Sequence, residues 1–259
     1  MMTGTGTQAN PYIVNTWSDF ITAATISTDT YIEFVPNTVI DLNNVQPEGF
    51  SSALSLAGHI DGKNSVIKNL VVNDPYGRIF DVSGLDMKNI SFLNMRGSKN
   101  IFERLMSTSS LTLYKCQFSG RLDNPDDIIY MSGGSCSRCS FTLEVHGSEN
   151  VRFNWDSDYS VQYCRIDISG TNTGSYISIG NVSNCYVTGK HSTKIEVYGN
   201  TNIVDFSAPA FGSDSFAHDI LVNSSKCASI QTLPGVHACT TSQLKDAEYL
   251  YSIGFPIQR

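Results

Sequence analysis

The sequence predicts an all-β protein wound as a single-stranded, right-handed parallel β-helix, with short capping helices near both ends. Three observations carry this prediction. A six-residue pattern recurs at short intervals, strand-like runs alternate with turn clusters, and the polar composition comes from Ser, Thr and Asn rather than from charge.

The pattern reads apolar, any, polar, apolar or Cys, any, apolar. It appears as Ile67-Lys68-Asn69-Leu70-Val71-Val72, Met87-Lys88-Asn89-Ile90-Ser91-Phe92 and Leu113-Tyr114-Lys115-Cys116-Gln117-Phe118. It returns as Cys136-Ser137-Arg138-Cys139-Ser140-Phe141, Val161-Gln162-Tyr163-Cys164-Arg165-Ile166 and Val182-Ser183-Asn184-Cys185-Tyr186-Val187, with Tyr163 only half polar. The fourth position advances by 20, 26, 23, 25 and 21 residues. That is too short for a two-helix repeat, which needs about 33 residues or more. It suits one coil of a β-helix, which holds about three short strands and buries its inner face only by stacking on the next coil, about 4.8 Å away. Runs such as Tyr176-Ile177-Ser178-Ile179 and Lys194-Ile195-Glu196-Val197-Tyr198 have strand alternation. Ser132-Gly133-Gly134-Ser135 and Ser169-Gly170-Thr171-Asn172 are turn clusters.

Stacking of equivalent positions predicts a core ladder of Leu70, Ile90, Cys116, Cys139, Cys164 and Cys185. A buried thiol replaces an aliphatic side chain there as a packing choice. Cys136-x-x-Cys139 offers a metal alternative, but one CxxC without a second pair is a weak zinc signal, and Leu or Ile in the same register cannot ligate. No metal and no cofactor is expected. Seven cysteines, an odd number, argue against a disulfide framework.

One domain is expected over 1–259, with coils over 31–235 and caps over 1–30 and 236–259. An open solenoid exposes strand edges and an apolar bore that need covering. Thr16-Trp17-Ser18-Asp19 reads as a capping box before a helix whose inner face is Trp17, Phe20, Ile21 and Ala24. A second helix is expected from Thr241 or Ser242, carrying Leu244, Ala247, Leu250 and Tyr251, stopped by Gly254 and Pro256.

Apolar residues make up 41% of the chain and charged ones only 16%; the net charge is −7. Such a chain is a poor partner for nucleic acid or for an anionic membrane surface. No apolar run reaches the length of a membrane span. The start, Met1-Met2-Thr3-Gly4-Thr5-Gly6-Thr7, has neither the basic nor the apolar region of a secretory signal.

Gly4-Thr5-Gly6-Thr7-Gln8-Ala9-Asn10-Pro11-Tyr12-Ile13-Val14 and Ile60-Asp61-Gly62-Lys63-Asn64-Ser65-Val66-Ile67-Lys68-Asn69-Leu70 resemble module starts in phage and bacterial surface proteins with pectate-lyase-like right-handed β-helices. Gln243-Leu244-Lys245-Asp246-Ala247-Glu248-Tyr249-Leu250 with Gly254-Phe255-Pro256 is similar to closing segments of phage structural proteins. The resemblance covers the two ends and the first full coils. It implies a phage virion component: a capsid decoration or head-fibre protein, or a tail-fibre or tailspike module; with no catalytic motif in view, a non-enzymatic role is expected. Its implied location is the virion, after synthesis in the host cytoplasm. Its implied partners are other capsid or tail proteins, a homotrimer of itself and host-surface polysaccharide.

The rival reading is a tailspike-type polysaccharide depolymerase, and a third is a bacterial adhesin module. Glycoside hydrolysis needs two carboxylates across a cleft. The candidates are Asp126, Asp127, Asp156 and Asp158. Asp123-Asn124-Pro125-Asp126-Asp127 also reads as a plain turn. No Gly-His-Gly, Gly-x-Ser-x-Gly or dinucleotide-loop motif is present. Trp155, Tyr114, Tyr163 and Tyr186 are candidates for surface contacts to protein or sugar.

Overall fold

The computed structural model describes residues 2–47, 53–73, 76–104, 109–147, 150–154, 159–200, 202–213, 220–231 and 233–252. The strands pair in parallel, each with the equivalent strand one turn on, giving a β-solenoid of about 7 turns. Three strand columns form its walls. The first column stacks Ile32, Ile60, Met87, Leu113, Cys136, Val161 and Val182. The second stacks Ile40, Ile67, Phe92, Phe118, Phe141, Ile166, Val187, Val204 and Val222. Every one of these side chains is buried. The third wall includes Phe80 paired with Phe102 and Phe102 with Ile129. Phe92, Phe118 and Phe141 stack with ring centroids 5.9 and 5.2 Å apart, and Phe102 and Phe153 meet that stack edge-on. Burial of about 150–250 Å² per aromatic side chain makes this stack a major source of stability.

The third position of the six-residue pattern is a corner. Asn89, Lys115, Arg138, Tyr163 and Asn184 all have φ between 53° and 55°. Only Gly and, at lower cost, Asn or Asp enter this left-handed region readily, and other residues lose about 1–2 kcal/mol. This explains the polar preference there. It also predicts that Tyr163→Asn will raise stability by about 1 kcal/mol in urea titration, because Tyr163 is exposed and holds φ at 54°.

The residue after the corner faces the bore. Cys116, Cys139, Cys164 and Cys185 form the expected ladder, each 2–3% exposed. The backbone N–H of Cys116 donates to Cys139 Sγ at 3.3 Å, that of Cys139 to Cys164 Sγ at 3.4 Å, and that of Cys164 to Cys185 Sγ at 3.4 Å. Asn202 Oδ1 closes the row by accepting from Cys185 N at 3.0 Å. Each ladder thiol donates back to the carbonyl two residues earlier, as Cys164 does to Gln162 at 3.1 Å. The ladder residues therefore fill the bore and also satisfy main-chain donors at the corner.

Leu70 corrects the expected ladder. Ile90 pairs with Ser65, while Ile67 pairs with Phe92 and Val71 with Arg96, which sets Leu70 level with Met95 at the next corner. That second corner has its own left-handed column, Asn44, Asn69 and Asn94, so the first copy of the pattern reproduces the motif at a different angle of the coil. Ser65 holds the ladder position in that turn. It is fully buried, accepts from Thr38 N at 3.0 Å and donates to Val35 O at 3.2 Å. Cys136 lies on the other side of the corner from Cys139, level with Leu113 and Val161, which supports packing over ligation as its role. Its Sγ is 3.7 Å from Cys164 Sγ, and burial pushes its thiol well up.

Both ends carry helices. Helix α1, Trp17–Ala24, is capped by Thr16, whose Oγ1 accepts from Asp19 N at 3.1 Å. It buries Phe20, Ala23 and Ala24, with Trp17 and Ile21 packed beside them. The C-terminal helix is split into α2, Thr241–Lys245, and α3, Ala247–Ser252. Asp246 causes the break: it is extended, and its carboxylate accepts from Glu248 N and Tyr249 N at 2.9 and 3.1 Å. Leu244 and Tyr249 pack on Leu221 and Cys239. Pairing extends into both expected caps, because Tyr12–Val14 joins Tyr31–Phe34 and Val236–Cys239 joins Ile220–Asn223. Gly254 and Pro256 lie outside the described residues. No helix among the described residues is long and apolar enough to cross a membrane.

Candidate functional site

The third wall carries a cleft of about 480 Å³ that spans four turns. Tyr76 comes from one turn, Lys99, Asn100 and Glu103 from the next, Asp126, Asp127 and Tyr130 from the third, and Arg152 from the fourth. Strand register brings them together. Glu103 pairs with Tyr130, and Asp127 pairs with Arg152. Asn124, in the left-handed region at φ 62°, turns the chain so that Asp126 and Asp127 enter the wall together.

Arg152 holds both aspartates. Its Nη2 lies 2.8 Å from Asp126 Oδ1 and its Nε 2.7 Å from Asp127 Oδ1. The Asn100 amide donates to Glu103 Oε2 at 3.2 Å. The Arg104 guanidinium lies over the Tyr130 ring, 4.5 Å from its centroid, and donates to the phenol oxygen at 2.9 Å. The Arg78 guanidinium stands 4.9 Å from the Tyr76 centroid and pairs with buried Asp81 at 3.0 Å.

Burial pushes the Asp127 carboxyl up to about 6, against the pull of Arg152 and with help from Asp126 and Glu103. The raised value means that the folded state holds this proton more tightly than the unfolded chain does. The contribution of Asp127 to stability is therefore full below about pH 4 and is lost as pH rises through about 6. Carboxyl titration by NMR will place Asp127 near 6; an ordinary aspartate value would mean that the Arg152 ion pair outweighs burial.

Other sequence candidates lie elsewhere. Tyr114, Tyr163 and Tyr186 sit at or beside the ladder corner, and none lines the cleft. Tyr114 is half-buried, with Lys115 Nζ 5.2 Å and the Arg138 guanidinium 5.9 Å from its ring centroid. Tyr163 is exposed because it occupies the corner. The Tyr186 hydroxyl donates to Asp205 Oδ2 at 3.0 Å, and burial with this bond pushes its pKa up to about 12. Trp155, Asp156 and Asp158 lie outside the described residues.

Of the four carboxylates singled out from sequence, Asp126 and Asp127 are brought into one cleft. Glu103, Tyr76, Tyr130 and Arg152 were missed. The signal for two of them was the coil period: Arg152 follows Asp127 by 25 residues, and Glu103 precedes Tyr130 by 27. No protein-family model, no curated protein and no solved structure matches this chain.

Proposed function

We propose that this protein is a non-enzymatic structural component of a phage virion, a capsid decoration, head fibre or tail-associated surface protein whose flank meets the host surface. The observation that best supports a structural role is the unbroken bore. One core cluster runs from Val14 to Cys227, helix α1 covers one end, and α2 and α3 pack at the other. A solenoid packed in this way is a stiff rod that presents its flank at a fixed distance from its ends. The end segments that resemble phage proteins supply the virion assignment. Mass spectrometry and immunogold labelling of purified virions test it. The chain is expected at a fixed stoichiometry on the particle, and its absence from particles contradicts the assignment.

The cleft favours a second reading, a polysaccharide depolymerase. A carboxyl with a pKa near 6 beside two further carboxylates is the arrangement of a general acid with a base or nucleophile. Release of new reducing ends from host polysaccharide, abolished by Asp127→Asn and Glu103→Gln, would establish this reading. No release over long incubation excludes it.

A further inference from the structure

We propose that the cleft from Tyr76 to Arg152 binds a neutral glycan chain laid along the solenoid axis. This rests on the host-surface contact proposed above and names its site and ligand class.

The lining chooses the class. Among the described residues, two tyrosines, an amide, three carboxylates, a guanidinium and an ammonium line the cleft, and none of these side chains is aliphatic. Such a wall has little for an apolar ligand. It suits a polyhydroxyl ring, whose C–H face packs on an aromatic ring and whose hydroxyls both donate and accept hydrogen bonds. The volume falls within the range of about 300–1,000 Å³ common for ligand sites.

Charge narrows the class further. Glu103, Asp126 and Asp127 are opposed by Lys99 and Arg152 in the wall, with Arg104 and Arg78 packed over the tyrosines. Arg152 already engages both aspartates, so a polycation finds them paired. A polyanion meets a chain of net charge −7. A neutral ligand meets neither penalty.

Shape sets the orientation. The groups come from four successive turns, spaced about 4.8 Å apart along the axis. Contacts repeated in this way fit a polymer lying parallel to the axis better than a compact monomer.

The test is binding of the full chain to immobilised neutral oligosaccharides (glucans, galactans and mannans), with polygalacturonate and chitosan oligomers as charged probes. At least one neutral probe should bind, with neither charged probe binding as tightly. Tyr76→Ala and Tyr130→Ala should each weaken binding at least tenfold. Tyr76 is 72% exposed, so its replacement leaves the fold intact. Tyr163→Ala, outside the cleft, should change nothing. Binding confined to a charged probe, binding unaffected by both cleft variants, or binding to no probe overturns the proposal. Those outcomes leave the virion assignment standing. A chain that binds the neutral probe through the cleft but is absent from virions overturns only that assignment.

Discussion

Cys164→Asp will cost about 4 kcal/mol in urea unfolding or abolish the cooperative transition, whereas Cys164→Ser will cost about 1 kcal/mol or less. Cys164 is 3% exposed, contacts Cys136 Sγ at 3.7 Å, and lies between Cys139 N, from which it accepts, and Gln162 O, to which it donates. A carboxylate there loses its water and the donor to Gln162 O; a serine hydroxyl keeps both the donor and the acceptor role. The protein already contains the serine solution, because Ser65 makes the same two kinds of bond one turn before Ile90. Cys164→Val should fall between the two, since it keeps the volume but leaves Cys139 N without its acceptor. Equal costs for Asp and Ser would remove the ladder from the account.

Gly170→Ala is the second large effect, expected to cost about 3 kcal/mol or more by the same measurement. Gly170 has φ at 135°, and a Cβ there would lie 2.0 Å from the carbonyl oxygen of Val145, its register partner on the previous turn. The obstacle is main chain, so neither strand can yield without opening the pairing between turns. A change under about 1 kcal/mol would mean that the turns are not stacked as described.

The solenoid was legible because its period and its inward positions are written in side-chain type. Phe92, Phe118 and Phe141 close three copies of the pattern and stack ring on ring. The register of the first copy was not legible. A search for an apolar residue or Cys at the fourth position passes over Ser65 and Asn202, which hold the ladder by hydrogen bonding. It selects Leu70 instead, because a second Asn corner repeats the motif. The split between α2 and α3 was equally hidden, since Asp246 reads as an ordinary helix surface residue until its carboxylate caps the second piece. For the cleft, Asp126 and Asp127 were visible as an adjacent pair, but their partners lie a turn away in space and about 25 residues away in sequence, where only a known period points.

The central claim is that successive turns stack in register, with sulfur upon sulfur along the bore. The most direct measurement is an anomalous sulfur map from a crystal of the native chain. It should show Cys116, Cys139, Cys164 and Cys185 as one row at intervals near the strand spacing of about 4.8 Å, with Cys136 beside Cys164. Peaks from those residues dispersed through the molecule, with no common line, would contradict it.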